Sequence, residues 1–236
     1  LMHTVAQAAR AVLLTAEPSA KVAAARKAAR DWRLGRLAHD FDVAMPDRPA
    51  RPAKPELLPP NRMPKRGRGG SERGRIALIH AIAHIEFVAM DLAFDMAGRF
   101  GAQFPRVFTV DWMRVGADEA MHFALLDRRL RQLGSRYGAM PAHGGLWEAA
   151  EATAGDAAAR LAVVPMALEA RGLDVTPAMI ERFEAAGDTV MARILGRILS
   201  DEVRHVAAGT RWFGSHCAGR RITPEPEWRA LLERYF

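Results

Sequence analysis

One spacing occurs twice in this chain and restricts its fold more than any other feature. A glutamate among apolar residues is followed, 33 residues later, by a Glu-x-x-His motif. Residues three apart on a helix share a face, so each motif can direct a carboxylate and an imidazole towards a neighbouring helix. The repetition disfavours surface acids and ordinary core histidines, and it predicts a duplicated helical hairpin with inward-facing polar groups. The two copies are Glu86, Glu119 and His122, then Glu169, Glu202 and His205.

The hydrophobic pattern places these residues in four long helices. Strand signals are nearly absent, so we predict an all-α fold in which a long four-helix bundle occupies residues 75–216. We expect the third helix to be interrupted by Pro165 and to end at Gly172. We expect the fourth to begin with Thr176 as N-cap and Pro177 in its first turn, with a break near Gly187. The predicted helices span 75–100, 108–134, 146–172 and 176–216.

The segments on either side of the bundle lack its long helices. Residues 1–45 predict a helical extension with helices over 3–15 and 19–38, the second capped by Ser19. A Pro/Arg/Gly-rich linker over 46–74 holds seven of the 14 prolines, and it is either an ordered strap or a mobile tether, flexible around the GRGG run. Residues 217–236 predict a tail with a short helix.

The positive charge is concentrated in the N-terminal third. Residues 1–75 hold 16 Lys and Arg against seven Asp and Glu, while the remainder is slightly acidic. A basic arm can bind the phosphates of RNA through counterion release. We favour a solvated arginine-rich segment, so RNA binding stays an alternative.

Cysteine usage and hydropathy indicate in which cellular compartment the protein is expected. The single Cys217 excludes a disulfide framework and any cysteine-rich metal site. We find no secretory signal and no apolar run of the roughly 18 residues that a membrane span needs. A cytoplasmic protein without membrane contact is therefore expected.

Carboxylates paired with single imidazoles indicate a particular metal chemistry. An oxygen-rich site with one imidazole per metal suits iron or manganese, whereas structural zinc prefers thiolates and several imidazoles. Asp118 and Asp201 each precede a Glu-x-x-His motif. They are placed to accept a hydrogen bond from a metal-bound imidazole, although the sequence does not pair each aspartate with its histidine.

Other polar residues are weaker candidates. We expect His80 and His84 to lie at the edge of the core or to support the ligands rather than to ligate, and His143 to be a solvated loop residue. Gly116 indicates close helix–helix contact. Tyr137 and Tyr235 are the chain's two tyrosines and neither is near a ligand in sequence, which disfavours a tyrosyl-radical role.

The chain resembles the ferritin-like superfamily of carboxylate-bridged di-iron proteins, and more closely an uncharacterised bacterial ferritin-like family. The resemblance covers roughly residues 70–215 and rests on HAIAHIEFVAMDL, DWMRVGADEAMHFALL, YGAMPAHGGLWE, LEARGLDVTP and LSDEVRHVAAGTRWF. It implies two iron ions, with manganese as an alternative, held by a Glu4His2 set. The implied ligands are Glu86, Glu119, His122, Glu169, Glu202 and His205.

The expected function is that of a non-haem di-iron oxidase or monooxygenase. It would use O₂, an external electron donor and an organic substrate that the sequence does not identify, as a monomer or dimer. Two alternatives stay open: a ferroxidase or iron-binding protein without organic substrate, and a tRNA-hydroxylating di-iron enzyme that uses residues 1–75.

Overall fold

A computed structural model describes residues 2–65 and 70–236. These residues form an all-α helical-bundle fold, as predicted, with strand only in the short parallel pair of β1 (Leu57–Leu58) and β2 (Ala142–His143). The packing divides the chain into two compact units, Leu1–Gly144 and Gly145–Phe236. The predicted division into extension, linker, bundle and tail stays a prediction.

The first unit is built on two long helices. The helix α3 packs along α4, while the shorter α1 lies on α3 and α2 lies on α4. Large aromatic side chains, among them Phe87, Phe94 and Phe108, are fully buried in this core. The helices are α1 (Val5–Leu13), α2 (Pro18–Arg33), α3 (Glu72–Phe100) and α4 (Arg106–Gln132).

The second unit contains the remaining helices. The helix α7 packs along the long α8, and α6 contacts both α8 and α9. A π-helical turn at Val164–Glu169 follows α6 directly. The helices are α5 (Gly145–Ala152), α6 (Ala157–Val163), α7 (Arg171–Ala185), α8 (Thr189–Gly219) and α9 (Pro224–Tyr235).

The predicted third and fourth helices are wrong in their boundaries. The predicted third helix is broken before α6, where the Asp156 side chain caps the new helix by accepting from the Ala159 amide. Thr176 and Pro177 lie inside α7 rather than at a helix start, because the chain is already helical when it leaves the π turn. The break expected near Gly187 is confirmed: Gly187 has a φ of +79°, which glycine adopts at little cost.

The N-terminal helices are shorter than predicted. The N-cap of α2 is Glu17 rather than Ser19, and its carboxylate accepts from the Ser19 and Ala20 amides. Pro18 takes the first helical position, where its missing N–H costs nothing. The helix ends at Arg33, before Gly35 with its positive φ.

Residues 46–65 of the linker form a strap that hydrogen-bonds to α1 and α3, and linker residues 72–74 already belong to α3. The Ala50 amide donates to the Leu13 carbonyl at 2.8 Å, and Arg99 donates to the Pro46 carbonyl at 2.6 Å. Residues 66–69, which carry most of the GRGG run predicted to be flexible, lie outside the described residues.

One helix has the composition of a membrane span, contrary to expectation. The segment Glu72–Gln103, which begins with α3, contains an 18-residue window that is long and apolar enough to cross a membrane. Of that window, 72% is buried inside the protein, as is typical of the core helix of a soluble protein. The cytoplasmic location itself stays a prediction.

Candidate metal centre

Three predicted ligands come together in the first unit. Glu86 on α3 faces α4, where Glu119 and His122 stand one turn apart. The His122 Nδ1 lies 3.1 Å from an oxygen of each glutamate, and one ligand atom from each of the three residues lies within 4.8 Å of the others. All three side chains are buried. This separation is small enough for all three residues to bind one cation, or to divide between two neighbouring cations.

The electrostatics of these residues depend on burial and on their mutual contact. Burial raises the pKa of Glu86 to about 8, and the charge of Glu119 adds to that effect. Burial alone would lower the pKa of His122, but hydrogen bonds to Glu119 and Glu86 outweigh it and raise that pKa to about 11. Without a metal, the cluster therefore retains protons at neutral pH. A cation that binds here must displace those protons.

The second unit carries the matching motif on α8. Glu202 and His205 are buried, and the His205 Nδ1 lies 3.4 Å from a Glu202 carboxylate oxygen. Within the described residues, the other Glu202 oxygen is buried without a hydrogen-bond partner. A buried carboxylate oxygen without a donor costs free energy, and a bound cation would remove that cost.

The remaining predicted ligand, Glu169, lies at the end of the π turn and is half-buried. Pro165 has no N–H to donate, and the Ala170 amide bonds to the Pro165 carbonyl in the five-residue spacing of a π helix. Gly209 of α8 allows this turn to approach closely, because a Cβ there would lie 2.8 Å from the Pro165 ring. The sequence predicted an interruption at Pro165, and the structure shows that it takes this wider form.

The structure does not test the supporting role predicted for the two aspartates. Asp201 is buried and accepts hydrogen bonds from Arg197, at 2.8 Å, and from Arg204 on its own helix. Asp118 is half-buried on α4. Their hydrogen bonds to metal-bound imidazoles stay a prediction.

A histidine–tyrosine cluster lies beside the ligands, and sequence reasoning missed it. The hydroxyl of Tyr137 is 2.8 Å from the His84 Nδ1, and the Tyr137 ring centroid lies 5.0 Å from those of Phe87 and Phe123. These phenylalanines directly follow Glu86 and His122 in the sequence. Tyr137 therefore lies in the core beside the candidate ligands, although it comes from a loop. No local pattern could have indicated this position.

The predicted positions of the three other histidines discussed above are confirmed in part. His84 and His80 are both buried rather than at the edge of the core, whereas His143 is exposed. Burial, with the nearby Arg51 charge, lowers the pKa of His84 to about 4, while the main chain of His143 acts weakly in the opposite direction. His80 accepts a hydrogen bond from the Gly138 amide, so it has a structural role.

A buried ion pair anchors the N-terminal segment to α3. Lys21 and Asp91 are fully buried and 2.7 Å apart, and Arg51 of the strap reaches the other Asp91 oxygen at 3.0 Å. Burial raises the pKa of Asp91 to about 6 even though both cations oppose that shift. Asp174 follows Glu169 by five residues, as Asp91 follows Glu86, but Asp174 is exposed, so the sequence repeat at this position is not matched by burial.

Fold and site together define a class: a helical protein with buried carboxylate–imidazole sets of the kind that can hold a metal ion. The chain belongs to the family described as "Protein of unknown function (DUF455)", whose model matches residues 14–236. It is 42% identical over 190 residues to a Haemophilus influenzae protein described as uncharacterized. That match covers 78% of this chain and 66% of the relative, so the chain spans slightly less than two thirds of that protein. No solved structure matches the chain.

Proposed function

We propose that the protein is an oxygen-dependent, non-haem di-iron oxidoreductase, with manganese as an alternative metal. The observation that carries the proposal is the buried cluster of Glu86, Glu119 and His122 together with its copy at the same spacing. In this proposal each copy supplies two carboxylates and one imidazole, the donor types with which ferritin-like di-iron proteins bind two metal ions.

The donor chemistry fits such a pair of ions. Carboxylate oxygens with single imidazoles favour iron and manganese over structural zinc. Four carboxylates also balance the charge of two divalent cations, which a core could not hold otherwise. The buried Glu202 oxygen has no hydrogen-bond donor, and a protein that binds no metal would have no compensation for burying it.

When bound, the metals would supply O₂ activation and electron transfer. The protein's own residues would do three things. Glu86 and His122 would release their protons as the metals bind. Phe87 and Phe123 would exclude water, since both are buried and directly follow ligands. Glu169, at the wider π turn, would be the ligand most able to shift position, because π turns interrupt regular helix hydrogen bonding.

Metal analysis of natively purified protein tests this proposal. We expect about two iron or manganese ions per chain, as the di-iron template requires. Glu119→Ala and His205→Ala should each reduce that number, while Glu181→Gln, which changes an exposed carboxylate on α7, should leave it unchanged. Fewer than about one metal per wild-type chain would refute the di-metal site.

Adding O₂ to the Fe(II) form separates the remaining alternatives. An oxygen-dependent optical band without iron accumulation supports the oxidoreductase. Uptake of many irons per chain would instead indicate a ferroxidase. Salt-dependent RNA binding that disappears when residues 1–75 are deleted would indicate the RNA-modifying alternative.

A further inference from the structure

A second candidate site lies on the first unit, in a groove between α2 and α4. The groove has a volume of about 470 Å³, which is within the range of small-molecule sites. Its floor is apolar and includes Trp32, Val110 and Met113. Its rim is formed by three arginines, Arg33, Arg106 and Arg114.

The charge of this groove is not balanced. Within residues 2–65 and 70–236, the side chains of Arg33, Arg106 and Arg114 form no hydrogen bond or ion pair, although Arg106 contacts the Trp32 ring. None of the residues that line the groove is acidic. Three guanidinium groups therefore border an apolar surface that has no acidic lining residue, and they favour an anion there.

The start of α4 adds to this positive potential. The helix begins at Arg106, and its N-cap Pro105 makes no side-chain hydrogen bond to the first-turn amides. The Phe108 amide already donates to the Pro105 carbonyl, while the helix dipole favours negative charge at this first turn. The helix end thus reinforces the charge of Arg106, the one of the three arginines in the first turn.

One contact restricts the shape of the ligand. The Arg106 guanidinium lies 4.1 Å from the centroid of the Trp32 ring, and Trp32 is only 7% exposed. Because the ring face is covered, it does not offer the open stacking platform that single-stranded nucleic acids use. The apolar floor instead suits an alkyl or similar hydrocarbon body.

We propose that this groove binds a small amphipathic organic anion, a phosphate monoester or carboxylate with an apolar body. The anionic group would contact Arg106 and Arg114, and the apolar body would lie on Val110, which is 45% exposed. On α4, Arg106, Val110, Met113 and Arg114 lie roughly 80–180° around the helix from Glu119 and His122, and the mean directions of the two sets differ by about 165°, at 3.6 residues per turn. The groove is therefore a site separate from the candidate metal ligands, and its occupancy does not depend on metal.

Calorimetric titration of the full chain tests the proposal with defined probes. The probes are octyl phosphate, octanoate, octanol and inorganic phosphate. We expect octyl phosphate or octanoate to bind at least about tenfold more tightly than octanol or inorganic phosphate. Only the first two probes contact both the arginine rim and the apolar floor of the groove. Tighter binding of octyl phosphate assigns a phosphate monoester, and tighter binding of octanoate assigns a carboxylate. Chelator-treated protein should give the same affinities, so this result is independent of the metal proposal.

Two variants test whether the ligand binds in this groove. The double variant Arg106→Gln/Arg114→Gln should weaken binding by about tenfold or more, the loss typical of removing charge-assisted hydrogen bonds. The matched control is Arg128→Gln, which changes an exposed arginine of the same helix that also has no ion pair among the described residues. It lies about 21 Å further along α4 than Arg114, and it should leave binding within about twofold.

Several results would overturn the proposal. They are no binding of octyl phosphate or octanoate up to about 1 mM, equal binding of octanol, and an unchanged affinity in the double variant. Preferential binding of anionic phospholipid vesicles or of single-stranded RNA, lost in the same double variant, would assign the arginines to a macromolecule instead. Circular dichroism of each variant establishes that a loss of binding does not reflect unfolding.

Discussion

Replacing Glu86 by glutamine should stabilise the metal-free protein while weakening metal binding. Burial and Glu119 raise the pKa of Glu86 from 4.5 to about 8, so at pH 7 the folded protein keeps a proton that the unfolded chain has released. Glutamine has the shape of the protonated acid. It can also donate to Glu119 and accept from His122, without any need to take up a proton.

The magnitude follows from the displaced pKa. At pH 7, protonating a carboxyl whose unfolded pKa is 4.5 costs about 3 kcal/mol, at 1.36 kcal/mol per pH unit. Glu86→Gln should recover most of this, about 1–3 kcal/mol after local repacking. A raised acid pKa destabilises the folded state as pH rises, from the unfolded pKa of 4.5 up to the folded value of about 8. The gain of the variant should therefore be near zero at pH 4.5 and should increase up to about pH 8.

Urea unfolding with chelator present, at several pH values between 5 and 8, measures this gain. Iron(II) or manganese(II) is then added under anaerobic conditions. The wild-type protein should gain stability from the metal, and the variant should gain less, since ligand binding stabilises only the state that binds it. The matched control Glu181→Gln, an exposed carboxylate on α7, should show neither effect. A pH-independent change, or a less stable variant at pH 7 without metal, would refute the interpretation of Glu86 as a buried, proton-holding ligand.

Three further substitutions test the packing that supports the site. Lys21→Met leaves the fully buried Asp91 with one cation fewer, and it should cost about 3–5 kcal/mol in urea unfolding; a loss below about 1 kcal/mol would show that the pair is not important for stability. Gly116→Ala places a Cβ 2.5 Å from the Phe94 ring, so a drop in thermal stability equivalent to about 1–3 kcal/mol is expected by calorimetry. Asp188→Ala removes the side chain that accepts from the Met191 amide at the start of α8, and it should cost about 1 kcal/mol; an unchanged unfolding midpoint would show that this cap is dispensable.

The sequence by itself determined the residue types of the site and their arrangement in pairs. The side chains of Glu119 and His122, or of Glu202 and His205, share a helix face because the α-helix has 3.6 residues per turn. Helical periodicity also determined the all-α class and the position of the long helices. These properties depend on residues close together in the chain, and local sequence records them directly.

Boundaries near Pro165 and Pro177 were harder to predict, because two kinds of local signal compete there. Proline can begin a helix or be accommodated by a wider turn, and only packing selects between them. In the structure, the close approach of Pro165 to Gly209 of α8 accompanies the π turn. Pro177 is then carried inside α7.

The tertiary structure alone decided which distant residues surround the ligands. Lys21 meets Asp91 across 70 residues of sequence, and Tyr137 meets His84 across 53. The three unpaired arginines of the groove likewise come from two different helices. No short-range pattern encodes such contacts, because they depend on how whole helices and the strap pack. The sequence thus defined the candidate ligands, whereas packing defined their protonation, their neighbours and the separate groove.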